Sequence, residues 1–237
     1  MRNSHFSFKN FRIEQGNCAN KVSTDACVFG AIIAPLCTEL SVLEIGTGTG
    51  VLALMLAQEG ASVVLSIELE EACANQAKEN VHNSTFSKQI EIICADARKW
   101  KSGKLFDYVI SNPPFFNNTF KSSSEKRNLA RQNESLAAGD WKSIIEKNLK
   151  EDGIVVLLLS NNDVLLEYKK ELRNNGLSVQ KEILLFDKAN VPCKRVILFA
   201  SRQEIHLPLQ KQIIYKEEDG NYTEEMKNLL KNYYLYL

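Results

Sequence analysis

From residue 41 to residue 200, short apolar, β-branched runs alternate with stretches of helical periodicity. That alternation restricts the fold more than any other feature of the chain. Ser41–Ile45, Val63–Glu68, Ile90–Cys94, Phe106–Ser111 and Gly153–Leu159 read as strands. Helical patterns at Val51–Glu59, Glu70–Val81, Trp141–Leu149 and Val164–Asn174 follow or separate them. Two late runs, Val179–Phe186 and Arg195–Ala200, suit a closing hairpin. Strands joined through helices pair in parallel and are covered on both faces. The expected fold is therefore α/β, a doubly wound, seven-stranded, mostly parallel sheet that binds its ligand at the carboxyl ends of the strands. With 237 residues and no repeat or low-complexity linker, the chain reads as one domain over 25–237 behind a short extension over 1–24.

Composition narrows the class. Hydrophobic residues make up 44% and charged residues 24%, which fits a globular chain. No apolar run approaches the roughly 20 residues of a membrane span, and polar residues follow the first six, so a cytoplasmic protein without a membrane role is expected. Cys18, Cys27, Cys37, Cys73, Cys94 and Cys193 form no C-x-x-C pair, so reduced thiols and no metal site are expected, with Cys94 packed inside its apolar run. Twenty-nine basic residues balance 29 acidic ones, so global charge does not mark a nucleic-acid binder. The charges are nevertheless grouped. Lys9, Arg12 and Lys21 lie early, Lys121, Lys126, Arg127 and Arg131 in the middle, and Lys188, Lys194, Arg195 and Arg202 late. Glu217, Glu218, Asp219, Glu224 and Glu225 make the C-terminal stretch acidic.

The chemistry sits at the strand ends. Glu44-Ile45-Gly46-Thr47-Gly48-Thr49-Gly50 closes one strand and opens a helix, and its glycines let backbone approach a ligand where a Cβ would clash. A dinucleotide fingerprint needs glycine at position 51, where this chain has Val51. Glu68 ends the second strand, where a carboxylate can accept from both hydroxyls of a ribose, and Asp96 follows the third. Taken singly, each acid reads as an ordinary loop residue. Three acids at successive strand ends beside a glycine turn read as a nucleotide cofactor site. After the fourth strand comes Asn112-Pro113-Pro114-Phe115-Phe116. Its prolines fix φ and remove two donors, leaving carbonyls that face outward. The Asn112 side-chain oxygen and the Pro113 carbonyl suit the two hydrogens of a planar amine, and Phe115 suits stacking on a base.

These motifs resemble class I S-adenosylmethionine-dependent methyltransferases of the N-P-P-F type, which act on adenine N6, cytosine N4, guanine N2 or the glutamine amide. The opening Phe6-Ser7-Phe8-Lys9-Asn10-Phe11 and the segment Lys21-Val22-Ser23-Thr24-Asp25-Ala26 are similar to bacterial valine-tRNA adenine-N6 methyltransferases, as are E-I-G-T-G-T-G and N-P-P-F-F. That family modifies the adenine at position 37. The resemblance spans most of the chain. Gln132, in Leu129-Ala130-Arg131-Gln132, stands where the family's A-R-H segment has histidine, so no catalytic task is assigned to it.

The resemblance implies S-adenosylmethionine as cofactor and tRNA as partner, and a monomer is expected. It implies Asn112, Pro113, Pro114 and Phe115 as catalytic residues. Lys21, Thr24, Asp25, Glu44, Gly46 and Gly48 would border the cofactor, with Gly50, Glu68, Asp96, Ala97 and Asn112. Thr24-Asp25 serves equally as a helix cap. The polar stretch after the fourth strand reads either as a surface loop or as a substrate-binding element carrying Phe116, Lys121, Lys126, Arg127 and Arg131. Residues 203–237 match no motif, although Tyr233, Tyr234 and Tyr236 suggest packing on the domain. Rival readings stay open at this point: a glutamine-N5 protein methyltransferase, a guanine-N2 ribosomal RNA enzyme, or a non-catalytic RNA-binding module. The glutamine enzymes usually carry a helical N-terminal domain, for which the residues before Thr24 leave no room. A nicotinamide-dependent oxidoreductase ranks last on glycine spacing.

Overall fold

The computed structural model describes residues 4–113, 136–161, 163–204 and 211–237. Strands β1 (His5–Ser7) and β2 (Arg12–Glu14) form a separate antiparallel hairpin. Then follow α1 (Thr24–Ile33), β3 (Ser41–Ile45), α2 (Val51–Gln58), β4 (Val63–Glu68), α3 (Glu71–His82), β5 (Ile90–Cys94) and β6 (Phe106–Ser111). After residue 135 come α4 (Trp141–Asn148), β7 (Leu149–Ser160), α5 (Asp163–Asn174), β8 (Ser178–Phe186), β9 (Arg195–Ser201), β10 (Gln212–Ile214) and α6 (Glu224–Leu230).

The main sheet runs β10-β8-β9-β7-β6-β3-β4-β5, with only β9 antiparallel to its neighbours. The doubly wound α/β fold expected from the sequence is present, with one strand more than the seven anticipated. The eighth is β10, an edge strand of three residues drawn from the stretch that carried no motif. Strand β7 also begins earlier than the apolar run suggests. Leu149 pairs with Phe106 and Ile154 with Tyr108, so the register shifts between them, and Gly153 lies in the irregular part. A side chain at Gly153 would meet Leu149 at 2.7 Å and the Lys150 carbonyl at 3.0 Å, which explains glycine there.

Strand alternation sends side chains to two cores. Val42, Val64, Ile110, Val156 and Phe199 face the α1–α2–α3 side, whereas Leu43, Leu65, Val109, Leu157 and Leu198 face α4 and α5. Helix α2 is buried from Val51 through Ala57, and α1 from Asp25 through Ile33. A helix apolar all round needs cover on its second side. The termini supply it: Phe8, Phe11, Tyr233 and Tyr234 join that core, and the Lys9 amide donates to the Tyr233 carbonyl at 2.8 Å. Tyr233 and Tyr234 therefore pack as expected, while Tyr236 is 90% exposed. Cys94 departs from expectation. It is in phase with the buried Ile90 and Ile92, but it is the last residue of the edge strand β5, and there it is exposed rather than packed.

Where β3 sits between β4 and β6, successive connections leave in opposite directions, opening a crevice at the carboxyl ends of these strands. Leu198, fully buried in the antiparallel strand of the second core, tests the sheet's contribution to stability. Leu198→Ala is expected to lower unfolding free energy by about 2–5 kcal/mol in chemical denaturation, with cofactor affinity retained at temperatures where the variant is folded.

Candidate active site

The turn after β3 is held from three sides. The amides of Gly46 and Thr47 donate to the Ile67 carbonyl at 2.8 and 3.2 Å, tying the turn to β4. Gly46, Gly48 and Gly50 have φ of +78°, +56° and +83°, values that side-chain-bearing residues rarely adopt. A Cβ built on Gly46 or Gly48 would meet nothing within 4 Å, so both glycines border open space, while Gly50 packs on Ala77 at 3.4 Å.

Glu44 lies beneath this turn, completely buried. Its Oε2 accepts from Thr47 Oγ1 and Ser66 Oγ, both at 2.7 Å. Its Oε1 has no hydrogen-bond partner among the described residues. Burial pushes the carboxyl well above its ordinary range, to about 7, against the lowering effect of those two hydroxyls.

The strand ends converge on a cleft of about 800 Å³. Gly46, Glu68, Asp96, Ala97, Asn112 and Pro113 line it, so six of the residues singled out in the sequence share one cavity. Glu68 Oε2 accepts from the Gly48 amide at 2.8 Å, and its Oε1 accepts from the Glu70 amide at 3.0 Å. Asp96 receives the Arg98 guanidinium at 2.8 and 2.9 Å and the Arg98 amide at 3.0 Å. The Arg98 side-chain bond is the main reason its carboxyl stays below the usual range. Ser111 Oγ donates to the Ile45 carbonyl at 2.8 Å, fixing the end of β6 against β3 directly before Asn112. Asn112 Oδ1 is buried and has no partner among the described residues.

Other sequence candidates lie elsewhere. Lys21 Nζ donates to the Gln15 carbonyl, and Lys21 is not part of the cleft wall. The cap of α1 is Ser23, whose hydroxyl accepts from the Ala26 amide at 3.2 Å. Thr24 opens the helix behind it. Asp25 is buried away from the cleft wall, against Arg195 at 3.3 Å, Lys194 at 3.4 Å and the Tyr215 hydroxyl at 3.1 Å. This network ties α1 to β9 and to the segment after β10, so the Asp25 carboxylate is committed to holding elements together. Pro114, Phe115, Phe116, Lys121, Lys126, Arg127, Arg131 and Gln132 lie outside the described residues. The cleft also has walls that sequence reasoning missed. Ala19 and Asn20 come from the N-terminal segment, Leu69 and Glu70 from the turn after β4, and Leu136 from the start of the next described stretch. Only proximity to recognised strand ends could have flagged Leu69 and Glu70, and nothing in the local pattern marks Ala19, Asn20 or Leu136.

The site fits S-adenosylmethionine on its own features. Open space above two glycines admits backbone-close contact, and the unmatched Glu44 oxygen lies under the turn where a cationic group is favoured. Because the folded Glu44 holds its proton more tightly than the unfolded chain does, its contribution to stability is full at low pH. That contribution is lost as pH rises through about 7. In the absence of cofactor, Glu44→Gln is therefore expected to gain melting temperature relative to wild type between about pH 5 and pH 8. A wild-type-minus-variant difference that stays flat across this range, read by calorimetry, would contradict a buried titrating Glu44.

Known proteins agree with this geometry. Residues 30–170 match the methyltransferase small domain family. A relative from Shewanella sp. strain MR-4 described as a tRNA1(Val) (adenine(37)-N6)-methyltransferase is 33% identical over 98% of this chain and 99% of its own length. A relative of the same description from Actinobacillus pleuropneumoniae serotype 7 is 35% identical over 97% of each chain. In fold, the chain is similar to a solved structure from Agrobacterium tumefaciens described as a predicted O-methyltransferase. The TM-score is 0.64 at 18% identity, covering 88% of this chain and 96% of that one. With its glycine turn, its strand-end acids and Asn112-Pro113 gathered in one cleft, the chain belongs to the tRNA1(Val) (adenine(37)-N6)-methyltransferase family of S-adenosylmethionine-dependent enzymes.

Proposed function

We propose that this chain methylates the N6 amine of an adenine in tRNA, at position 37 of valine tRNA, and that the cleft at the ends of β3, β4, β5 and β6 is where it does so. The observation that carries the reading is the buried Asn112 Oδ1 on the wall of that cleft, which has no partner among the described residues. A buried acceptor without a donor costs about 1–3 kcal/mol, a cost that an incoming amine hydrogen removes.

S-adenosylmethionine supplies an electrophilic methyl group on a sulfonium. The protein's task is to hold and orient. Glu68 offers ribose hydroxyls the lone pairs left after its two backbone bonds. Asp96 and Ala97, on the cleft wall, would hold the adenine of the cofactor, and Gly46 and Gly48 would allow close backbone approach at its other end. Glu44 Oε1 would balance the positive charge of a cofactor ammonium beneath the turn. Asn112 Oδ1 and the Pro113 carbonyl accept the two hydrogens of the target amine, drawing it from planarity so that its lone pair faces the methyl group. No strong base is needed before attack, because the methylated amine is cationic and loses its proton to solvent water after transfer. Orientation and preorganised dipoles carry the rate. Pro114 and Phe115 complete this machinery by their place in the motif, with Phe115 stacking on the base and Phe116, Lys121, Lys126, Arg127 and Arg131 contacting RNA. Residues 1–24 act as an extension that lends Ala19 and Asn20 to the cofactor wall, and 25–237 form the methyltransferase domain.

The test is transfer of labelled methyl from S-adenosylmethionine to tRNA, followed by nucleoside analysis. The expected product is N6-methyladenosine. Asn112→Ala is expected to lower turnover by about 10²–10³-fold while cofactor affinity by calorimetry stays close to wild type. Unchanged turnover in that variant, or label in another nucleoside, overturns the assignment.

A further inference from the structure

Charge is uneven across the sheet in a way that the zero net charge of the chain conceals. After Asp96 the chain reads Ala97-Arg98-Lys99-Trp100-Lys101-Ser102-Gly103-Lys104, with four cations and no acid before Asp107. This connection starts at the cleft, where Arg98 forms part of the wall, and runs from the carboxyl end of β5 to the amino end of β6. Helix α4 lies beside it and adds Lys142 and Lys147, with Lys147 Nζ donating to the Arg98 carbonyl at 3.3 Å. Counting Asp96, Asp140 and Glu146 as the acids of the connection and of α4 with its preceding turn, six cations face three acids, a local balance of +3. The opposite edge of the sheet, beyond β10, carries Glu217, Glu218 and Asp219.

The cations sit on fixed backbone. The amides of Lys99 and Trp100 both donate to the Asp96 carbonyl at 3.0 Å, and Trp100 packs into the second core. The Ser102 amide donates to Asn148 Oδ1 at 3.4 Å, and the Lys104 amide to Ser102 Oγ at 2.8 Å. Lys99, Lys101 and Lys104 are exposed and make no ion pair among the described residues. A preorganised row of unpaired ammonium groups leading away from a base-sized cleft suits a polyanionic strand more than a single small anion. An adenine entering the cleft brings its flanking phosphates across the rim, where Lys99 follows the wall residue Arg98, and Lys101 and Lys104 continue from there down the side of the sheet toward the amino end of β6.

We infer that Lys99, Lys101 and Lys104 form a phosphate track for the tRNA strand that leads away from the target adenine, from the cleft rim down the side of the sheet, an inference that rests on tRNA being the substrate. The track adds affinity and register without reading sequence.

Binding of unmodified tRNA by fluorescence anisotropy over a salt series tests it, using the full-length chain. The triple variant Lys99→Ala/Lys101→Ala/Lys104→Ala is expected to bind tRNA about tenfold more weakly at near-physiological salt. The slope of log affinity against log salt is expected to shrink by about 2 to 3, with S-adenosylmethionine affinity unchanged. The control Lys78→Ala/Lys88→Ala/Lys231→Ala removes the same charge elsewhere and is expected to change the slope far less. Equal losses in the two triple variants would mean that only net charge matters, and would overturn the track. Binding by the track variant indistinguishable from wild type overturns the track while leaving tRNA methylation standing. A wild type that neither binds nor methylates tRNA overturns both.

Discussion

The carboxylate of Glu44 ties together three pieces of chain at the place where the sheet opens to solvent. One oxygen binds the hydroxyl of Thr47 within the glycine turn and that of Ser66 on β4, so strand, turn and neighbouring strand share one acceptor. The turn is then fixed again by two amides on the Ile67 carbonyl. What remains is a buried oxygen without a donor among the described residues, under backbone that no described side chain obstructs. An ionised, half-satisfied carboxylate is costly in a protein interior, and the rise of its pKa to about 7 expresses that cost. The arrangement is reasonable only where a cation completes it, and the ammonium end of S-adenosylmethionine is such a cation.

The same logic recurs at the end of β6. Ser111 anchors the strand to the Ile45 carbonyl, and the next residue presents a second buried oxygen with no described donor. Two unmatched acceptors therefore stand at the two strand ends flanking the switch point of the sheet. The folded chain bears their cost, which ligands bound in the proposed way would relieve. Helices α1 and α2 keep the platform rigid because they are buried on every side, which the chain achieves by folding both termini over them.

Much of this was legible in the residues. Strand ends can be read because a buried parallel strand is a short apolar run, and the functional acids follow such runs at Glu44, Glu68 and Asp96. Glycine spacing argued against a dinucleotide turn, and Asn112-Pro113 pointed to the proposed amine site through the chemistry of proline. What was hidden depends on tertiary contact. Asp25 reads as a pocket residue beside Thr24, yet its partners Arg195 and Tyr215 are 170 and 190 residues away in sequence, and no local pattern reveals them. Ala19, Asn20 and Leu136 are ordinary residues that become walls only through the path of the chain. Strand β10 is too short, at three residues, to produce a periodic signal. Cys94 shows the converse error, since an apolar run suggests burial but its place at the end of an edge strand exposes it.

The central claim is that one cleft holds the cofactor along the ends of β3, β4 and β5 and turns its reactive end toward Asn112. A crystal structure with S-adenosylhomocysteine tests this most directly. The account predicts ribose hydroxyls on Glu68, the adenine beside Asp96 and Ala97, the amino group over the Glu44–Gly46 turn, and the sulfur facing Asn112. A ligand bound outside this cleft, or one whose sulfur faces away from Asn112, would contradict it.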